Sequence, residues 1–283
     1  MKKLLALVLA LVMTLGLAAV GTNAAYADAD DIEYKEAVDV MTAIGVLAGD
    51  ESGFRPADTL KRSEGAKIVA YLMLGNKTAE AIQASGNKFT DVPANHWAAG
   101  YIEYLTSAGV IGGVGGGKFD PDGQLTATAF AKMRLTALGY DAQIEGLVGD
   151  DWAINTQKPA NQNSLFSGNK DVIGSAAVTR EEAALYAFNT ITSPLVAYET
   201  KGTTITVGDT SIQTGASNWE YKTSTILKDQ TIYDDTLNAG LLTSPYIVEF
   251  AEEFNPKLVL DQGGDYFNRP SDTWTSEGKK VGT

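Results

Sequence analysis

The sequence contains no cysteine among its 283 residues, and this absence excludes several kinds of chemistry. Such a chain forms no disulfides, has no thiol nucleophile and offers no thiolate ligand for zinc. It also has no cysteine to carry a lipid after an export signal. Any attachment of the chain to a surface is therefore expected to be non-covalent.

Histidine is scarce as well, because His96 is the only one. A single imidazole cannot build a histidine metal cluster or a Ser-His-Asp triad from this chain. It stands beside Trp97 at a predicted helix start, where capping or packing explains it. Acidic residues are scattered, so the paired carboxylates of a glycosidase have no recognisable cleft. We therefore expect no enzyme activity, no catalytic residues, no metal site and no cofactor.

Positive charge is also in short supply, with 22 Lys and Arg against 35 Asp and Glu and a net charge of -13. Nucleic acid is excluded as a partner, because phosphate binding needs concentrated basic residues. An acidic protein that binds an acidic polymer needs local basic groups, or bound cations, at the contact. The positions of the few basic residues are therefore informative.

Long apolar runs are confined to the first 27 residues. Lys2 and Lys3 precede an uncharged run, and Ala25-Tyr26-Ala27 fits a small-x-small cleavage site. This pattern predicts a secretory signal peptide over residues 1–27, with an uncleaved membrane helix as the alternative. We expect a secreted protein that has no membrane contact after cleavage.

Internal repetition is the main feature that the sequence does have. Residues 89–140 read as a helix, a Gly-Val pair, a glycine-rich turn, Phe-x-Pro and a second helix, and residues 34–75 repeat that order. A third copy begins near Trp152, has lost Phe-x-Pro and is recognisable chiefly over 178–191. We therefore divide the chain after the signal into repeat 1 (28–87), repeat 2 (88–140), a degenerate repeat 3 (141–193) and a β-rich segment (194–283).

Apolar spacing within the repeats predicts paired helices that cannot bury their faces alone. One helix is expected from about Arg62 to Leu74, and another over 179–192 that begins with a capping box of Thr179 and Glu182. The polar stretch 155–163 interrupts this spacing in repeat 3. Beyond Pro194, alternating β-branched residues predict a hairpin with its turn at Gly208-Asp209, and a short helix is expected over 245–254. The final residues resemble a segment that continues onward in long surface proteins, which leaves truncation of the chain open.

Two turns of repeat 2 imitate ligand-binding motifs. Residues 112–118 fit the glycine and lysine positions of a phosphate-binding loop, but Phe119 stands where a Ser or Thr must bind Mg²⁺. Residues 120–123 resemble the start of a calcium loop, but Ala131 stands where a bidentate Glu is required. We interpret both as structural turns.

Residues 89–98, which read FTDVPANHWA, together with the Gly-Val-Ile-x-Gly turn and the Thr-Arg-x-Glu helix start of repeat 3, resemble the S-layer homology family. The resemblance covers about residues 31–193. It implies a mainly α fold, a pseudo-threefold bundle of three helix-turn-helix repeats, followed here by a small β-rich segment. It also implies that the repeats hold a bacterial surface protein on an anionic, often pyruvylated, cell-wall polysaccharide.

The function implied by this resemblance is non-covalent anchoring at the cell surface, with self-association as a component of a surface layer. A different class of function stays open, in which the repeats anchor a wall-bound enzyme whose catalytic part lies in or beyond residues 194–283. No catalytic set is recognisable in those residues.

Arg62 and Arg180 are the most informative candidates for ligand contact, because each occupies the first turn of a predicted helix, where free backbone N–H groups favour an anion. A guanidinium adds a planar fork for a carboxylate or phosphate. The alternative is that each arginine pairs with a nearby carboxylate such as Glu64 or Glu182. The full set of candidate ligand residues is Lys61, Arg62, Trp97, Trp152, Thr179 and Arg180.

The aligned helix starts differ in charge between repeats. The helix start of repeat 2 has Ala127 and Ala129 where the family has Arg and Glu. We expect repeat 2 to keep its fold, because Thr126 still caps the helix, but to lack the guanidinium that would bind an anion. Trp97 and Trp152 open the second and third repeats, where the family places an aromatic near the groove of the preceding repeat, although a core role is equally plausible. The first and third grooves are therefore expected to bind better than the second.

Overall fold

The computed structural model describes residues 26–86, 88–207, 210–226, 241–264 and 270–282. Residues 1–25 of the predicted signal peptide lie outside these ranges. A 3-10 turn spans Ala29–Asp31. The α-helices of the described ranges are α1 Lys35–Ala43, α2 Arg62–Leu74, α3 Asn76–Glu80, α4 Ala99–Ser107, α5 Ala127–Ala137, α6 Trp152–Gln162, α7 Arg180–Ile191 and α8 Phe250–Phe254.

Each repeat supplies one pair of these helices: α1 with α2, α4 with α5, and α6 with α7. Helix α2 has the bounds that the sequence predicts, and α7 begins with the predicted capping box, in which Thr179 Oγ1 accepts from the N–H of Glu182. The polar stretch 155–163 is helical, contrary to its broken periodicity. It forms most of α6, which buries Thr156, Pro159 and Ala160 although Pro159 lies inside the helix.

A closed ring of backbone hydrogen bonds joins the residues that precede α2, α5 and α7. Leu60 N–H donates to the carbonyl of Val178 over 2.9 Å, Leu125 N–H to Leu60 over 2.8 Å, and Val178 N–H to Leu125 over 2.8 Å. All three side chains are buried, with at most 2 % exposure. The three repeats are therefore connected at one point, and each is held by the other two.

The turn after the first helix of each pair has the same backbone conformation in all three repeats. Gly45 and Gly109 adopt positive φ of 76° and 74°, and Ser164 takes the equivalent place with φ of 53°. Glycine reaches this region without steric cost, whereas serine must be held there by its surroundings. Repeat 3 has therefore lost its glycine but kept the turn, which fixes the alignment of the three repeats.

Tyr26, the second last residue of the predicted signal peptide, packs against repeat 1. Its ring centroid lies 5.4 Å from that of Phe54, and Phe89 stands in the same relation to Phe119 at 5.5 Å. The Tyr26 hydroxyl also donates to Thr42 Oγ1 over 3.0 Å. Cleavage after Ala27 would remove this packing residue from repeat 1.

The segment after Pro194 is β-rich, as predicted. Its strands are β1 Val196–Tyr198, β2 Thr203–Val207, β3 Thr210–Thr214, β4 Trp219–Tyr221, β5 Thr223–Ile226, β6 Leu241–Ile247, β7 Leu258–Gly264, β8 Pro270–Ser276 and β9 Lys279–Gly282. They pair antiparallel as β1-β4, β2-β3, β5-β6 and β7-β8-β9. The predicted turn Gly208-Asp209 lies outside the described residues, but its two strands pair in the expected register.

One prediction for this segment is wrong. The sequence predicts a helix over 245–254, whereas residues up to Ile247 belong to β6 and only α8 is helical. The tract 245–247 pairs with β5, and this strand pairing outweighs its local helical spacing.

The β-rich segment packs on the helical repeats. Trp274 is buried, its ring centroid lies 5.2 Å from that of Phe188 on α7, and its indole N–H donates to Glu36 on α1 over 2.9 Å. Asn255 Nδ2 donates to the Leu72 carbonyl of α2 over 2.9 Å. One face of the helical body is therefore covered by the chain's own C-terminal part.

Candidate functional site

Arg62 projects from the start of α2 in repeat 1 onto the glycine-rich loop of repeat 2. Its Nε donates to the Phe119 carbonyl over 2.9 Å, and Nη2 donates to the Gly112 carbonyl over 3.3 Å. The guanidinium carbon lies 4.7 Å from the centre of the Phe119 ring. The arginine therefore braces the loop of the neighbouring repeat, and part of its fork is already used.

Arg180 makes the same contacts between the next pair of repeats, from repeat 3 to repeat 1. From α7 it donates through Nε to the Phe54 carbonyl over 2.7 Å and through Nη2 to the Ala48 carbonyl over 2.6 Å. Its guanidinium carbon lies 5.0 Å from the centre of the Phe54 ring. An arginine of repeat 3 thus serves the loop of repeat 1, just as Arg62 serves the loop of repeat 2.

The backbone N–H groups at these helix starts are not free, which corrects the expectation that they bind an anion. The N–H groups of Arg62 and Ser63 donate to the carbonyls of Gly123 and Pro121. On α7 the N–H groups of Arg180 and Glu181 likewise donate to the carbonyls of Asp58 and Pro56. The neighbouring repeat satisfies the donors that a helix start usually leaves open.

The alternative of local ion pairs is also not what the structure has. Glu64 accepts from the N–H of Lys61 over 2.7 Å, and Glu182 accepts from the N–H of Thr179 over 2.8 Å. Each carboxylate therefore caps its own helix. Within the described ranges, no carboxylate lies within salt-bridge distance of the Arg62 or Arg180 guanidinium.

Two of the candidate residues meet in one cavity of about 550 Å³. Arg62 lies at one side and Trp152, at the start of α6, at the other. Between them are the repeat 2 loop and the outer face of α5, so all three repeats contribute. The lining residues are Arg62, Val110, Ile111, Gly112, Gly113, Val114, Ala129, Lys132, Met133, Val148, Gly149, Asp150 and Trp152. We call this cavity the Arg62 site.

Lys132, which sequence reasoning missed, is the second cation of the Arg62 site. Its Nζ lies 5.3 Å from the centre of the Trp152 ring, within range of a cation–π contact. Burial lowers the pKa of Lys132, and the nearby Arg62 charge lowers it further. Burial also lowers the pKa of Arg62, against the opposing effect of Asp120 and Asp91. Two partly buried positive groups and an indole therefore line one cavity of an acidic protein.

The equivalent surface at Arg180 has the same kinds of residue. Counting from the ring residues Leu60 and Leu125, Lys67 corresponds to Lys132, and counting back from the shared turn, Trp97 corresponds to Trp152. Lys67 Nζ lies 5.0 Å from the centre of the Tyr71 ring, and Trp97 is 55 % exposed, with its ring centroid 6.5 Å from that of Tyr101. We call this group of Arg180, Lys67 and Trp97 the Arg180 site. Its aromatic is more exposed than Trp152.

The third equivalent surface lacks every one of these groups. Ala127 stands where the arginine would be, Leu185 where the lysine would be, and Glu33 where the tryptophan would be. Leu185 is buried and lies against Gly168 of the loop, where an added Cβ would come within 3.3 Å of Leu185 Cδ1. We call this group the Ala127 site. It carries no cation, whereas each of the other two sites has an arginine and a lysine.

Lys61 and Thr179 have structural partners in the described residues. Lys61 Nζ lies 2.7 Å from Asp122 Oδ1, and this contact raises the pKa of the lysine. Its charge is therefore largely compensated at an exposed position. Thr179 Oγ1 accepts from the N–H of Glu182 over 3.3 Å as the cap of α7. Neither residue is among those that line the Arg62 site.

Two segments of the chain match a known protein family. The S-layer homology domain family matches residues 25–65 and 88–126. The chain carries S-layer homology domains. The match begins one residue before Tyr26, in agreement with the packing of that residue in repeat 1. It stops before residues 141–193, which share with the matched repeats the turn after the first helix, the ring of hydrogen bonds and the way the second helix begins.

Of three relatives, two are named as surface proteins and one as a cell wall amidase. A cell surface protein of Thermoanaerobacter kivui is 27 % identical over 277 residues, which are 92 % of this chain and 34 % of that protein. A surface-layer 125 kDa protein of Lysinibacillus sphaericus is 30 % identical over 172 residues, 56 % of this chain and 14 % of that protein. An uncharacterized cell wall amidase of Bacillus anthracis is 34 % identical over 101 residues, 35 % of this chain and 18 % of that protein. This chain spans about a third of the length of the first relative and less of the others.

Two further features concern the described part of the chain. None of its helices combines the length and the apolar character needed to cross a bilayer. Nor do three or more Asp, Glu or His side chains of those residues converge as they do at a metal site.

Proposed function

We propose that this chain anchors a secreted bacterial surface protein to an anionic cell-wall polysaccharide by non-covalent contacts. The observation that carries the proposal is the Arg62 site, in which Arg62, Lys132 and Trp152 line one cavity. Two cations suit a carboxylate or phosphate substituent, and an indole suits the C–H face of a sugar. The site is concave and combines apolar walls with a few polar groups, as carbohydrate and other small-ligand sites do.

The helical body that presents these sites is proposed to be a pseudo-threefold bundle of three repeats. The closed ring formed by Leu60, Leu125 and Val178 supports this arrangement. So does the relation of each helix start to the next repeat's loop, because N–H groups of α2, α5 and α7 all donate to carbonyls of that loop. Each site then lies between neighbouring repeats and depends on the whole bundle.

The location and partners follow from the same proposal. The predicted export signal, the S-layer homology match and the names of the relatives favour the bacterial cell surface, outside the membrane. The wall polymer is the proposed ligand, with a pyruvyl ketal as its anionic group, and the candidate contacts are Arg62, Arg180, Trp97 and Trp152. We also propose that the protein associates with copies of itself in a surface layer.

Sedimentation with purified cell walls tests the anchoring function. The secreted chain is expected to pellet with walls that retain their polysaccharide and to remain in solution with walls from which the polymer has been extracted. High salt should release part of the bound chain, because the contact is electrostatic. Equal pelleting with intact and extracted walls would show that another wall component is the ligand.

The relative named as a cell wall amidase supports a second candidate function. Its match covers 35 % of this chain, as expected if repeats of this kind also anchor enzymes. In that case the repeats act as described above and the catalytic part belongs to sequence outside them. Release of soluble fragments from purified walls by the secreted chain would favour this candidate.

A further inference from the structure

We infer that repeat 3 has a ligand site of its own, a cavity that binds an uncharged sugar unit. The cavity has a volume of about 380 Å³ and lies between α6 and the loop that follows this helix. None of its lining residues belongs to the Arg62, Arg180 or Ala127 site. We call it the repeat 3 cavity. The inference goes beyond the proposed function, because this site has no part in binding an anionic group.

The repeat 3 cavity opens where the other two repeats have a buried phenyl ring. Phe54 and Phe119 each lie six residues before the ring residue of their repeat, and both are fully buried. The same position of repeat 3 is Val172, which is only partly buried and lines the cavity. The loss of Phe-x-Pro from repeat 3 has therefore removed a core side chain without closing the space.

A polar side chain replaces a second core residue at the same cavity. Val38 and Ile102 each lie seven residues before the shared turn, and both are fully buried. The same position of repeat 3 is Gln157, which lines the cavity and donates through Nε2 to Thr128 Oγ1 over 3.0 Å. The polar stretch 155–163 thus forms a wall of the cavity where the other repeats form core, and such a wall suits a hydrophilic ligand.

Side-chain hydrogen bonds hold the loop that forms the opposite wall. Asn169 Nδ2 donates to Glu182 Oε1 over 3.0 Å and to the Tyr186 hydroxyl over 2.7 Å. Asn189 Nδ2 donates to the Ser167 carbonyl over 2.8 Å. Both walls are therefore formed before a ligand arrives, so binding loses little conformational entropy of the protein.

The groups left open in the repeat 3 cavity are neutral and can both donate and accept hydrogen bonds. The side chains of Asn161, Ser164 and Ser167 line it and have no hydrogen-bond partner within the described ranges. Sugar hydroxyls also donate and accept, and the partly buried ring of Phe166 offers an apolar surface for sugar C–H groups. Of the described residues that line the cavity, none is a carboxylate and only Lys170, which is exposed, is a cation. An uncharged sugar matches this set of groups.

A peptide matches the repeat 3 cavity less well. Extended peptides bind mainly by pairing with main-chain groups of the protein. At this cavity the Leu165 carbonyl already accepts from Arg134 Nη1 over 3.0 Å, and the Ser167 carbonyl accepts from Asn189. The cavity therefore presents side chains rather than an open main-chain edge.

A titration followed by protein NMR tests the inference on the isotopically labelled secreted chain. The sugar probe is methyl N-acetyl-β-glucosaminide, which is uncharged. It is expected to shift the backbone amide signals of Gln157, Asn161 and Ser167 with a dissociation constant on the order of 1 mM, as suits a ligand of this size. The peptide probe, N-acetyl-dialanine methylamide, should leave these signals unchanged.

The variant Asn161→Ala/Ser167→Ala removes two exposed groups without a partner in the described ranges, so it should fold normally. We expect it to bind the sugar at least about fivefold more weakly. The matched control is Gln162→Ala/Ser175→Ala, which changes an exposed amide and an exposed hydroxyl outside the cavity and should bind as the wild type does.

The variant Gln157→Ile/Val172→Phe restores the kinds of residue that repeats 1 and 2 have at these positions. It should fill the repeat 3 cavity and abolish the sugar-induced shifts. Thermal unfolding shows whether each variant is folded. If this larger change prevents folding, the alanine variant decides the question.

The outcomes separate this inference from the proposed function. Equal sugar binding by the wild type and the folded alanine variant would show that the cavity is not the site. Absence of sugar-induced shifts at the cavity, or shifts there with the peptide probe instead, also overturns the inference. Both cavity variants keep Arg62 and Arg180 and should pellet with intact walls, whereas failure of the wild type to pellet overturns the proposed function and leaves the sugar titration unaffected.

Discussion

Replacement of Arg62 by alanine tests whether the helix-start arginine both braces a loop and binds the ligand. The change removes the hydrogen bonds to the Phe119 and Gly112 carbonyls, at 2.9 and 3.3 Å, and the guanidinium contact with the Phe119 ring at 4.7 Å. Helix α2 itself should persist, because alanine is a good helix former and Glu64 still caps its start. The loop of repeat 2 should be the part that loosens.

The expected loss of stability can be estimated from these contacts. The shorter charge-assisted hydrogen bond contributes about 1.5–3 kcal/mol, and the longer, more exposed one contributes about 0.5–1 kcal/mol. The cation–π contact adds about 0.5–1 kcal/mol. Water can satisfy part of what is lost, so we expect a decrease in the free energy of unfolding of about 3 kcal/mol. For a domain of this size, that corresponds to a fall in Tm of roughly 6–12 °C.

The loss of ligand affinity is a separate quantity. One charge-assisted hydrogen bond to the polymer is worth about 1.5–3 kcal/mol, so the affinity of the Arg62 site should fall roughly ten- to hundredfold. Arg180→Ala should have a similar effect at its own site, and the double variant should lose nearly all binding, because simultaneous engagement of two sites no longer adds to the affinity.

The assay combines thermal unfolding with calorimetric titration of isolated wall polymer, both on the secreted chain. Arg62→Lys is the control that keeps the charge but cannot reach both carbonyls. It should bind better than Arg62→Ala at similarly reduced stability. If the double variant Arg62→Ala/Arg180→Ala remains folded and binds the polymer as tightly as the wild type, the arginines only brace their loops and the reasoning fails.

Four further predictions follow from the geometry. Mass spectrometry of the secreted protein should find an N-terminus at or before Tyr26, and an N-terminus at Asp28 would contradict the role of that ring. Ala127→Arg should leave polymer binding unchanged by calorimetry, and a clear gain would mean that the arginine alone makes a site. A protein of residues 31–193 should be helical by circular dichroism but melt well below the full chain, since its covered face becomes exposed; equal Tm values would contradict this. Burial, aided by Glu252, raises the pKa of Glu249 from 4.5 to about 7, so the folded state holds its proton more tightly than the unfolded state. Stability should therefore fall by on the order of 1–3 kcal/mol from pH 4.5 to 7.5, and Glu249→Gln should remove most of that dependence in denaturant titrations.

The helices of repeats 1 and 2 could be predicted from the sequence because their signals are local. Helix α2 has the predicted bounds, and its end is marked by Gly75, whose φ of 71° suits glycine. Helix α6 could not be predicted in the same way. Its sequence is polar and contains Pro159, and it is stabilised by packing against α5 rather than by its own pattern.

The start of the mature chain shows two sequence signals in conflict. The small-x-small pattern at Ala25-Tyr26-Ala27 favours cleavage before Asp28. The alignment of Tyr26 and Asp28 with Phe89 and Asp91 favours retention, and it was already visible in the sequence. In the structure Asp28 accepts hydrogen bonds from the N–H groups of Phe54 and Arg55 in the same way that Asp91 serves the loop of repeat 2. Asp28 stays in the chain with either cleavage site, so only the packing of Tyr26 against Phe54 distinguishes the two.

Lys132 could not be found from the sequence because it shares no motif with the arginine that it accompanies. Arg62 belongs to repeat 1 and Lys132 to repeat 2, and the two meet only because each helix start reaches across to the next repeat. The expectation that the N–H groups at the start of this helix are free is wrong for the same reason. Those N–H groups donate to the carbonyls of Pro121 and Gly123, which belong to repeat 2. Contacts between repeats are set by the order of the repeats around the ring, which local patterns do not contain.

Because each helix start contacts the loop of the next repeat, the groove that is expected to bind the ligand weakly also changes. The sequence comparison assigned the missing arginine to the groove of repeat 2, but an arginine at position 127 would face the loop of repeat 3. The loops of repeats 1 and 2 are served by Arg180 and Arg62, and both of these sites also have a lysine and a tryptophan. At the Ala127 site, Leu185 and Glu33 stand in those places, so restoring the arginine alone would supply a brace for the loop without the second cation or the aromatic surface. A chain with two equipped sites and one site without cations should therefore bind two sugar units of the polymer.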